Sequence, residues 1–373
     1  MSQAFAYLDH NATTRLRPEA LTAMAAVVAG CGNPSSVHHA GREARRVLAG
    51  ARETVGRAIG LAQGGTVIFT SGGTEANHLA LKGSDRRRLL RSAIEHESVR
   101  AAAEAALVVP VEPEGTVDLA ALDAMLRDGP AALVSIMVAN NETGVIQPIE
   151  AVVRLAHACG ALVHCDAIQA VGKIPFDMAR LGVDLATVSA HKLGGPPGVA
   201  ALAVRPGLVL TPLLTGGGQE SGLRAGTENL PGIAGFAAAI ECAVAELDLY
   251  AGLAILRDDL ARRLSALEPQ AIVFGAARPR LPNTLSIALP GVSAEIQVMA
   301  LDLAGIGVSA GAACSSGKIR PSHVLEAMGA DADTARSAIR ISLGAGTTAD
   351  ELDRVVEAWG ALAQRTADRR AAA

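Results

Sequence analysis

A short motif that ends in Lys192 contains side chains that could do chemistry. Its sequence, Ser189-Ala190-His191-Lys192, follows an apolar stretch and precedes a glycine- and proline-rich turn. A second apolar stretch ends at Asp166, and Gln169 follows three residues later. A lysine amine can form a Schiff base with an aldehyde cofactor, and an aspartate can keep a pyridine nitrogen protonated so that the ring withdraws electrons. Together these residues predict a site for pyridoxal phosphate.

Lysine is rare in this chain, since four of the 373 residues are lysine and 29 are arginine. A rare lysine is less readily explained as an ordinary surface charge. Lys82, which precedes Gly83 at an expected helix end, and Lys173 nevertheless have ordinary structural interpretations. Rarity alone therefore does not single out Lys192, whereas its combination with Asp166 does.

A glycine-rich segment, residues 70–77, could hold the phosphate group of such a cofactor. Its sequence, Thr-Ser-Gly-Gly-Thr-Glu-Ala-Asn, follows an expected strand and opens an expected helix. The N–H groups and the dipole at the start of a helix attract anions. The alternative is an ordinary strand-to-helix turn with Ser71 or Thr74 as the N-cap. Because the lysine motif is also present, we predict a phosphate site that Ser189 and His191 complete.

Three more polar segments follow apolar stretches. His96 lies where α/β folds place ligands, so it could stack on a pyridine ring and move protons, although a lone histidine is more often structural. Residues 140–144, Asn-Asn-Glu-Thr-Gly, are either a turn or a source of an amide donor to cofactor or substrate. The glycine-dense residues 216–229 are either a flexible loop or a loop for binding or subunit contact.

Two isolated residues have the chemistry to act on a substrate. Cys314 lies among Gly, Ala and Ser with no helix or strand pattern around it, so its thiol is expected to be accessible and to act as a nucleophile once deprotonated. The other four cysteines fit the usual role of cysteine as a small buried hydrophobe. Arg340 interrupts a short apolar strand, and a buried charge needs a partner. That partner is either a substrate carboxylate, bound bidentately, or an internal salt bridge.

Composition argues against several classes of protein. The net charge is −4 with both signs interspersed, so we expect no nucleic-acid partner. No apolar run reaches the length of a membrane span, and the N-terminus lacks the features of a secretory signal. Five cysteines without a repeated short spacing indicate neither a disulfide framework nor a zinc site. We expect a cytoplasmic protein that binds no membrane and no metal.

The order of apolar stretches predicts an α/β fold. Strand-length apolar runs alternate with alanine-rich helical patterns, and the runs lack period-two alternation, which is typical of a sheet with helices on both faces. The last hundred or so residues predict a smaller α+β domain, which the first dozen could join. The predicted strands are 66–70, 89–94, 132–138, 161–165, 184–190, 199–204, 284–288, 306–309 and 338–343, and the predicted helices are 18–29, 75–82, 97–106, 119–127, 149–159, 232–267 with a break near Gly252, 294–303 and 348–363.

These motifs resemble those of the cysteine desulfurases of the nitrogen-fixation and iron–sulphur-cluster type, in the class V aminotransferase fold. The resemblance runs along nearly the whole chain. The matching segments are Tyr7-Leu8-Asp9, Asn11-Ala12-Thr13-Thr14, Asn33-Pro34-Ser35-Ser36, residues 70–77, Glu95-His96, residues 140–144, His164-Cys165-Asp166, Gly172-Lys173, His191-Lys192, residues 216–229, Cys314-Ser315 and residues 340–344.

The resemblance implies the fold type I architecture of pyridoxal-phosphate-dependent transferases, similar to that of aspartate aminotransferase. A large cofactor-binding domain, residues 15–250, would contain a mostly parallel seven-stranded sheet. Residues 1–14 and 251–373 would form a small α+β domain that carries the loop with the catalytic cysteine.

The resemblance also implies roles around the cofactor ring. Lys192 would be the Schiff-base lysine, Asp166 the partner of the pyridinium nitrogen and Gln169 the donor to the phenolic oxygen. His96 would stack on the ring and shuttle protons. Asn141 would contact both the cofactor and the substrate.

The remaining implied roles concern the phosphate, the substrate and the sulphur. Arg340 would bind the substrate, and Cys314 would receive the sulphur as a persulfide. The phosphate would be bound by residues of one subunit and by a threonine from the other subunit of a homodimer, namely Gly73, Thr74, Ser189 and His191 with Thr227.

The implied reaction converts L-cysteine to L-alanine and passes the sulphur from Cys314 to an acceptor protein or an iron–sulphur scaffold. The alternatives are a selenocysteine lyase and another class V aminotransferase in which Cys314 is incidental. A sulphur carrier with a vestigial cofactor site is a third. The third alternative is disfavoured because the chain has all four of the residues that an active site would need: Lys192, Asp166, His96 and Arg340.

Overall fold

The computed structural model describes residues 5–30, 32–311 and 321–372. The apolar runs of the sequence form its strands. In chain order, the strands of this described part are β1 (Ala6–Tyr7), β2 (Thr66–Thr70), β3 (Leu89–Ser92), β4 (Leu107–Val109), β5 (Leu133–Ser135), β6 (Leu162–Asp166), β7 (Leu185–Ser189), β8 (Ala200–Val204), β9 (Ile272–Val273), β10 (Thr284–Ala288), β11 (Ile306–Gly307), β12 (Ser309–Ala310) and β13 (Ala338–Ser342).

Several helices begin at residues whose side chains satisfy the first N–H groups. The side chains of Asp118, Asn229 and Ser293, for example, each accept a hydrogen bond from a backbone N–H of the first turn. The helices are α1 (Pro18–Ala29), α2 (His39–Ala58), α3 (Gly73–Gly83), α4 (Glu97–Ala102), α5 (Leu119–Arg127), α6 (Ile149–Ala158), α7 (Met178–Leu181), α8 (Leu230–Ala245), α9 (Leu247–Ala251), α10 (Leu253–Leu267), α11 (Ala294–Leu303), α12 (His323–Ala327), α13 (Ala332–Arg336) and α14 (Ala349–Ala372), with short 3₁₀ turns at Ala190–Lys192 and Gln219–Gly222.

A seven-stranded sheet in the order β2-β8-β7-β6-β5-β3-β4 forms the centre of the molecule. The pairs among β4, β3, β5, β6 and β7 are parallel, whereas β8 is antiparallel to both of its neighbours, β7 and β2. Six strands therefore point the same way, and their carboxyl ends meet at one edge of the sheet. The predicted mostly parallel α/β sheet is confirmed.

Helices cover both faces of this sheet. One apolar core packs α2, α5, α6 and α8 against the sheet through side chains such as Leu48, Leu122 and Phe236. A second core on the opposite face packs α3 and α4 through Leu79 and Val99. Burial on both faces explains why the strand sequences do not alternate between apolar and polar residues.

A separate apolar core joins the start of the chain to its last third. It contains Leu8 of the N-terminal segment and the buried Trp359 of α14. An antiparallel sheet in the order β12-β13-β10-β9 lies there, and β1 pairs in parallel with β11. The proposed division into residues 15–250 and the two flanking parts stays a prediction.

Several elements differ from those predicted. The 20-residue helix α2 was not predicted, although Ala44, Leu48, Ala51 and Val55 repeat at helical spacing and are buried. The edge strand β4, of three residues, and the five-residue helices α12 and α13 were also missed, because such short elements give little periodicity. The predicted strand 89–94 ends earlier, at Ser92. No helix in the described ranges is both long and apolar enough to cross a membrane.

Candidate active site

A cavity of about 430 Å³ opens at the carboxyl edge of the central sheet. Residues that follow separate strands line it because the carboxyl ends of those strands meet there. Ten of the residues predicted from the sequence line this cavity: Gly73, Thr74, His96, Asn141, Asp166, Gln169, Ser189, His191, Lys192 and Arg340.

Lys192 enters the cavity from the 3₁₀ turn that follows β7. Its Nζ donates hydrogen bonds to the backbone carbonyl oxygens of Asn11 at 2.7 Å and Ala12 at 2.6 Å. Both acceptors belong to the N-terminal segment, which therefore forms part of the cavity wall. These hydrogen bonds fix the position of the Lys192 amine, which can act as a nucleophile and as a base when it is deprotonated.

Asp166 is linked to His96 by a chain of buried hydrogen bonds. Asn77, on α3, donates from Nδ2 both to Asp166 Oδ2 and to Ser98 Oγ, each at 2.9 Å. Ser98 Oγ lies 2.8 Å from Nδ1 of His96. The other Asp166 oxygen, Oδ1, accepts the backbone N–H of Ile168 at 3.0 Å. The carboxylate orientation is thus fixed from two sides.

The hydrogen bonds of His96 also assign its ring proton. His96 is the N-cap of α4, and its Nδ1 accepts the backbone N–H of Ser98 at 3.1 Å. A neutral imidazole that accepts at Nδ1 carries its proton at Nε2. His96 is therefore able to donate from Nε2 in the cavity.

The start of α3 provides an anion site at one end of the cavity. The helix begins at Gly73, and N–H groups in a first helical turn have no partner inside the helix. A Cβ on residue 73 would lie 2.4 Å from Ile168 Cδ1, so the glycine leaves room for the end of the Ile168 side chain beside the helix start. Burial and the neighbouring cations Lys192 and Lys173 lower the pKa of His191 to about 4, so its imidazole is neutral near pH 7 and can donate a hydrogen bond.

Gln169 is held by two residues to which no function was assigned from the sequence. Its Nε2 donates to the backbone oxygen of Asn11 at 2.9 Å, and its Oε1 accepts from Lys173 Nζ at 2.5 Å. Lys173 also donates to Asn11 Oδ1 at 2.8 Å. The spacing of four residues between Gln169 and Lys173, together with the rarity of lysine, was the available sequence signal.

Arg340 lies on β13, and its guanidinium reaches the same cavity. It forms the internal salt bridge that was the alternative to substrate binding, because Nη2 donates to Asp9 Oδ1 at 2.7 Å. Nη1 donates to the backbone oxygen of Asn141 at 3.0 Å. Nε is buried and has no hydrogen-bond partner in the described part of the chain. These two contacts use two of the five N–H groups of the guanidinium, so donors remain for a carboxylate in the cavity.

Two buried carboxyl groups lie beside the cavity. Burial raises the pKa of Glu95 to about 8, even though its Oε1 accepts from Ser92 Oγ and from the Met137 backbone N–H. Burial likewise raises the pKa of Glu142, whose Oε2 accepts from Ser322 Oγ at 2.5 Å. Both carboxyl groups therefore favour the neutral form more than an ordinary glutamate does.

Two predicted site residues are not among those lining the cavity. Thr227 is exposed on the segment 216–229, which an ion pair of 2.8 Å between Arg224 and Glu75 ties to α3. Cys314 lies outside the described residues, as does Cys31. Of the other cysteines, Cys165 is buried as predicted. Cys159 and Cys242 were expected to be buried and are only partly so, because they lie at the end and on the side of surface helices.

The residues of the cavity fit pyridoxal phosphate. A lysine amine lies in the same cavity as a buried carboxylate, and the helix start at Gly73 provides donors for a phosphate. The volume of the cavity lies in the range usual for sites that bind small cofactors. The amide of Gln169 adds a polar group for the rest of the ring.

Comparisons with known proteins agree with this geometry. The Aminotransferase class-V family matches residues 6–355. A cysteine desulfurase of Cereibacter sphaeroides is 45% identical over 365 residues, which cover 94% of each chain. Cysteine desulfurase IscS of Dictyoglomus turgidum is 41% identical and matches 94% of this chain and 92% of its own. The X-ray structure of a NifS-like protein from Rickettsia africae has a TM-score of 0.88 at 35% identity, over 95% of this chain and 98% of that one.

Proposed function

Because the chain belongs to the class-V aminotransferase family, we propose that it is a pyridoxal-phosphate-dependent cysteine desulfurase that converts L-cysteine to L-alanine. One observation carries the proposal: a single cavity gathers the lysine, the carboxylate, the helix start and the arginine that this chemistry requires. Relatives named cysteine desulfurase match nearly the whole chain.

Lys192 would hold the cofactor through its amine, Asp166 would pair with the ring nitrogen, and the first turn of α3 would bind the phosphate with Ser189 and His191. Bound there, pyridoxal phosphate supplies an electron sink for the bonds of an amino acid attached to it. The neutral His191 donates to the phosphate without adding a full charge.

Arg340 and Asn141 would hold the substrate. The guanidinium of Arg340 lines the cavity, and we propose that its N–H groups there donate to the substrate carboxylate. The salt bridge from Arg340 to Asp9 fixes the guanidinium plane. A preoriented guanidinium binds a carboxylate at a smaller entropic cost than a mobile one does.

Proton transfer falls to two side chains of the cavity. Lys192 Nζ, which contacts the carbonyl oxygens of Asn11 and Ala12, would be the base that takes the proton from the substrate Cα. His96, with its proton at Nε2, is the second candidate to move a proton in the cavity.

The thiolate of Cys314 is the proposed sulphur acceptor. It attacks the substrate sulphur, a new S–S bond forms and the Cβ–S bond breaks. The electron pair of the broken bond stays with the carbon skeleton and takes up a proton, which gives the methyl group of alanine. The persulfide on Cys314 then holds the transferred sulphur.

The finer parts of the proposal concern partners. We propose a homodimer in which Thr227 of one subunit reaches the phosphate site of the other, in line with its exposed position outside the cavity. An acceptor protein or iron–sulphur scaffold would take the sulphur from Cys314. The cytoplasmic location stays a prediction from the sequence.

Incubation of the holoenzyme with L-cysteine tests the function. Without a reductant, we expect one alanine per subunit and a mass increase of one sulphur on the peptide that contains Cys314. The Cys314→Ala variant should bind the cofactor normally and lose sulphur release by orders of magnitude. Cys242→Ser is the matched control and should behave as wild type. A keto acid in place of alanine would favour an aminotransferase, and undiminished desulfuration by Cys314→Ala would favour a lyase.

A further inference from the structure

Lys173 is a buried amine with unusual partners. Its exposed fraction is 3%. In the described ranges it forms no salt bridge, and its Nζ instead donates to two amide oxygens, Gln169 Oε1 at 2.5 Å and Asn11 Oδ1 at 2.8 Å. Burying an amine is costly, and a hydrophobe of similar size would cost the fold less. The position therefore suggests a task besides packing.

The hydrogen bonds of Lys173 fix the orientation of the Gln169 carboxamide. Lys173 Nζ donates to Gln169 Oε1, while the backbone oxygen of Asn11, which can only accept, faces Gln169 Nε2. The NH₂ group of Gln169 is then turned away from Lys173. One of its two N–H donors binds the backbone oxygen of Asn11 at 2.9 Å. The other is free to serve the cavity, which Gln169 lines.

Lys173 also fixes Asn11, which holds Lys192. Asn11 Oδ1 accepts from Lys173 and from Asn283 Nδ2 at 3.1 Å, and its Nδ2 donates to Thr284 Oγ1 at 2.8 Å. The backbone oxygen of the same residue accepts from Lys192 Nζ. The position of the catalytic amine thus depends on a residue that Lys173 holds.

We propose that Lys173 is a positioning residue that turns the N–H donor of Gln169 toward the cofactor and fixes the Asn11 carbonyl that holds Lys192. The inference rests on the proposed function in one respect, namely that Gln169 donates to the phenolic oxygen of pyridoxal phosphate. Lys173 itself contacts neither cofactor nor substrate in this arrangement.

A double-mutant cycle on the holoenzyme tests the proposal, with the pH midpoint of the absorbance change of the bound cofactor as the readout. Lys173→Met keeps the volume and removes the donors. We expect its midpoint to rise by about one pH unit, the size expected for losing one hydrogen bond to a charged oxygen. Gln169→Ala should raise the midpoint similarly, and adding Lys173→Met to it should change little. Lys82→Met, at the exposed end of α3, is the control and should titrate as wild type.

Two results would overturn the proposal. One is an unchanged midpoint in Lys173→Met. The other is a midpoint shift by Lys173→Met that is equally large in wild type and in Gln169→Ala. Lys173 would then act through its charge or through the fold and not through Gln169. If Lys173→Met does not fold, Lys173→Gln, which keeps an N–H donor, enters the same cycle and should give a smaller shift that disappears in Gln169→Ala. A wild-type protein that binds no cofactor would refute the proposed function instead.

Discussion

Glu95 allows a quantitative test of the buried electrostatics beside the cavity. Its carboxyl group is fully buried, and Oε2 has no hydrogen-bond partner in the described part of the chain. Burial is the main cause that raises its pKa from 4.5 to about 8, and the charge of Asp166 raises it further. The hydrogen bonds from Ser92 and Met137 act in the opposite direction and do not compensate.

The sign of the pH effect follows from where the proton binds. Between pH 4.5 and about 8 the folded protein keeps a proton on Glu95 that the unfolded chain has lost. Stability therefore falls as pH rises through this window and is not regained above it. At about 1.4 kcal/mol per pH unit, the raised pKa corresponds to an upper limit of roughly 5 kcal/mol.

The substitution Glu95→Gln should remove this loss, because a carboxamide has the shape of the protonated acid and cannot ionise. We expect the difference in thermal unfolding midpoint between the variant and wild type to grow in favour of the variant as the pH is raised from 5 to 8.5. For a chain of this length the growth should be roughly 3–6 °C. Thermal unfolding of both holoenzymes at saturating cofactor measures this. Glu104→Gln, an exposed carboxylate close by in sequence, is the control and should follow wild type at every pH.

Parallel pH profiles of wild type and Glu95→Gln would refute this reasoning. They would mean that the folded protein already accommodates an ionised Glu95 and that burial does not dominate its pKa. A constant loss of stability in the variant at every pH would indicate that the amide introduced at position 95 lacks a hydrogen-bond acceptor. The slope of stability against pH, compared with that of wild type, would still show whether Glu95 ionises in the folded protein.

Four other substitutions test the assigned roles. Lys192→Ala should abolish turnover and the borohydride-reducible link between protein and cofactor, and persistence of that link would contradict its role. Arg340→Lys should raise KM for cysteine at least tenfold with a smaller change in kcat, because an ammonium cannot form two parallel hydrogen bonds; steady-state kinetics measure this. Asn77→Ala should weaken cofactor binding about tenfold in equilibrium dialysis, since Asp166 loses a hydrogen bond. Subunit exchange between Lys192→Ala and Thr227→Ala dimers should restore one intact site per mixed dimer, and no gain on mixing would argue against shared sites.

The convergence of strand ends could be predicted from the sequence. His96, Asn141, Asp166 and Ser189 all follow or end strongly apolar runs, and parallel strands bring their carboxyl ends to one edge. Local patterns therefore predicted much of the cavity wall.

The contacts made by the N-terminal segment could not be predicted in the same way. Asn11 lies 162 positions from Lys173 and 272 from Asn283, and its hydrogen bonds depend on how β1 pairs with β11. The hydrophobic pattern of the sequence does not indicate which residues of β1 and β11 pair. The link from Asn77 to Asp166 is hidden for the same reason, because it joins a helix to a strand 89 positions away.

Burial raises the pKa of two carboxyl groups, Glu95 and Glu142, beside a cavity that gathers positive charge. Burial lowers the pKa of Lys173 well below its usual value, and the nearby charges of Lys192 and Arg340 lower it further. The ligands proposed for the cavity, a phosphate and a substrate carboxylate, are anions that cationic walls attract. An ionised Glu95 would place a second negative charge near Asp166, and an ionised Glu142 would do so near Arg340. The raised pKa of these two glutamates therefore disfavours negative charges that would offset the positive charge available to the ligands.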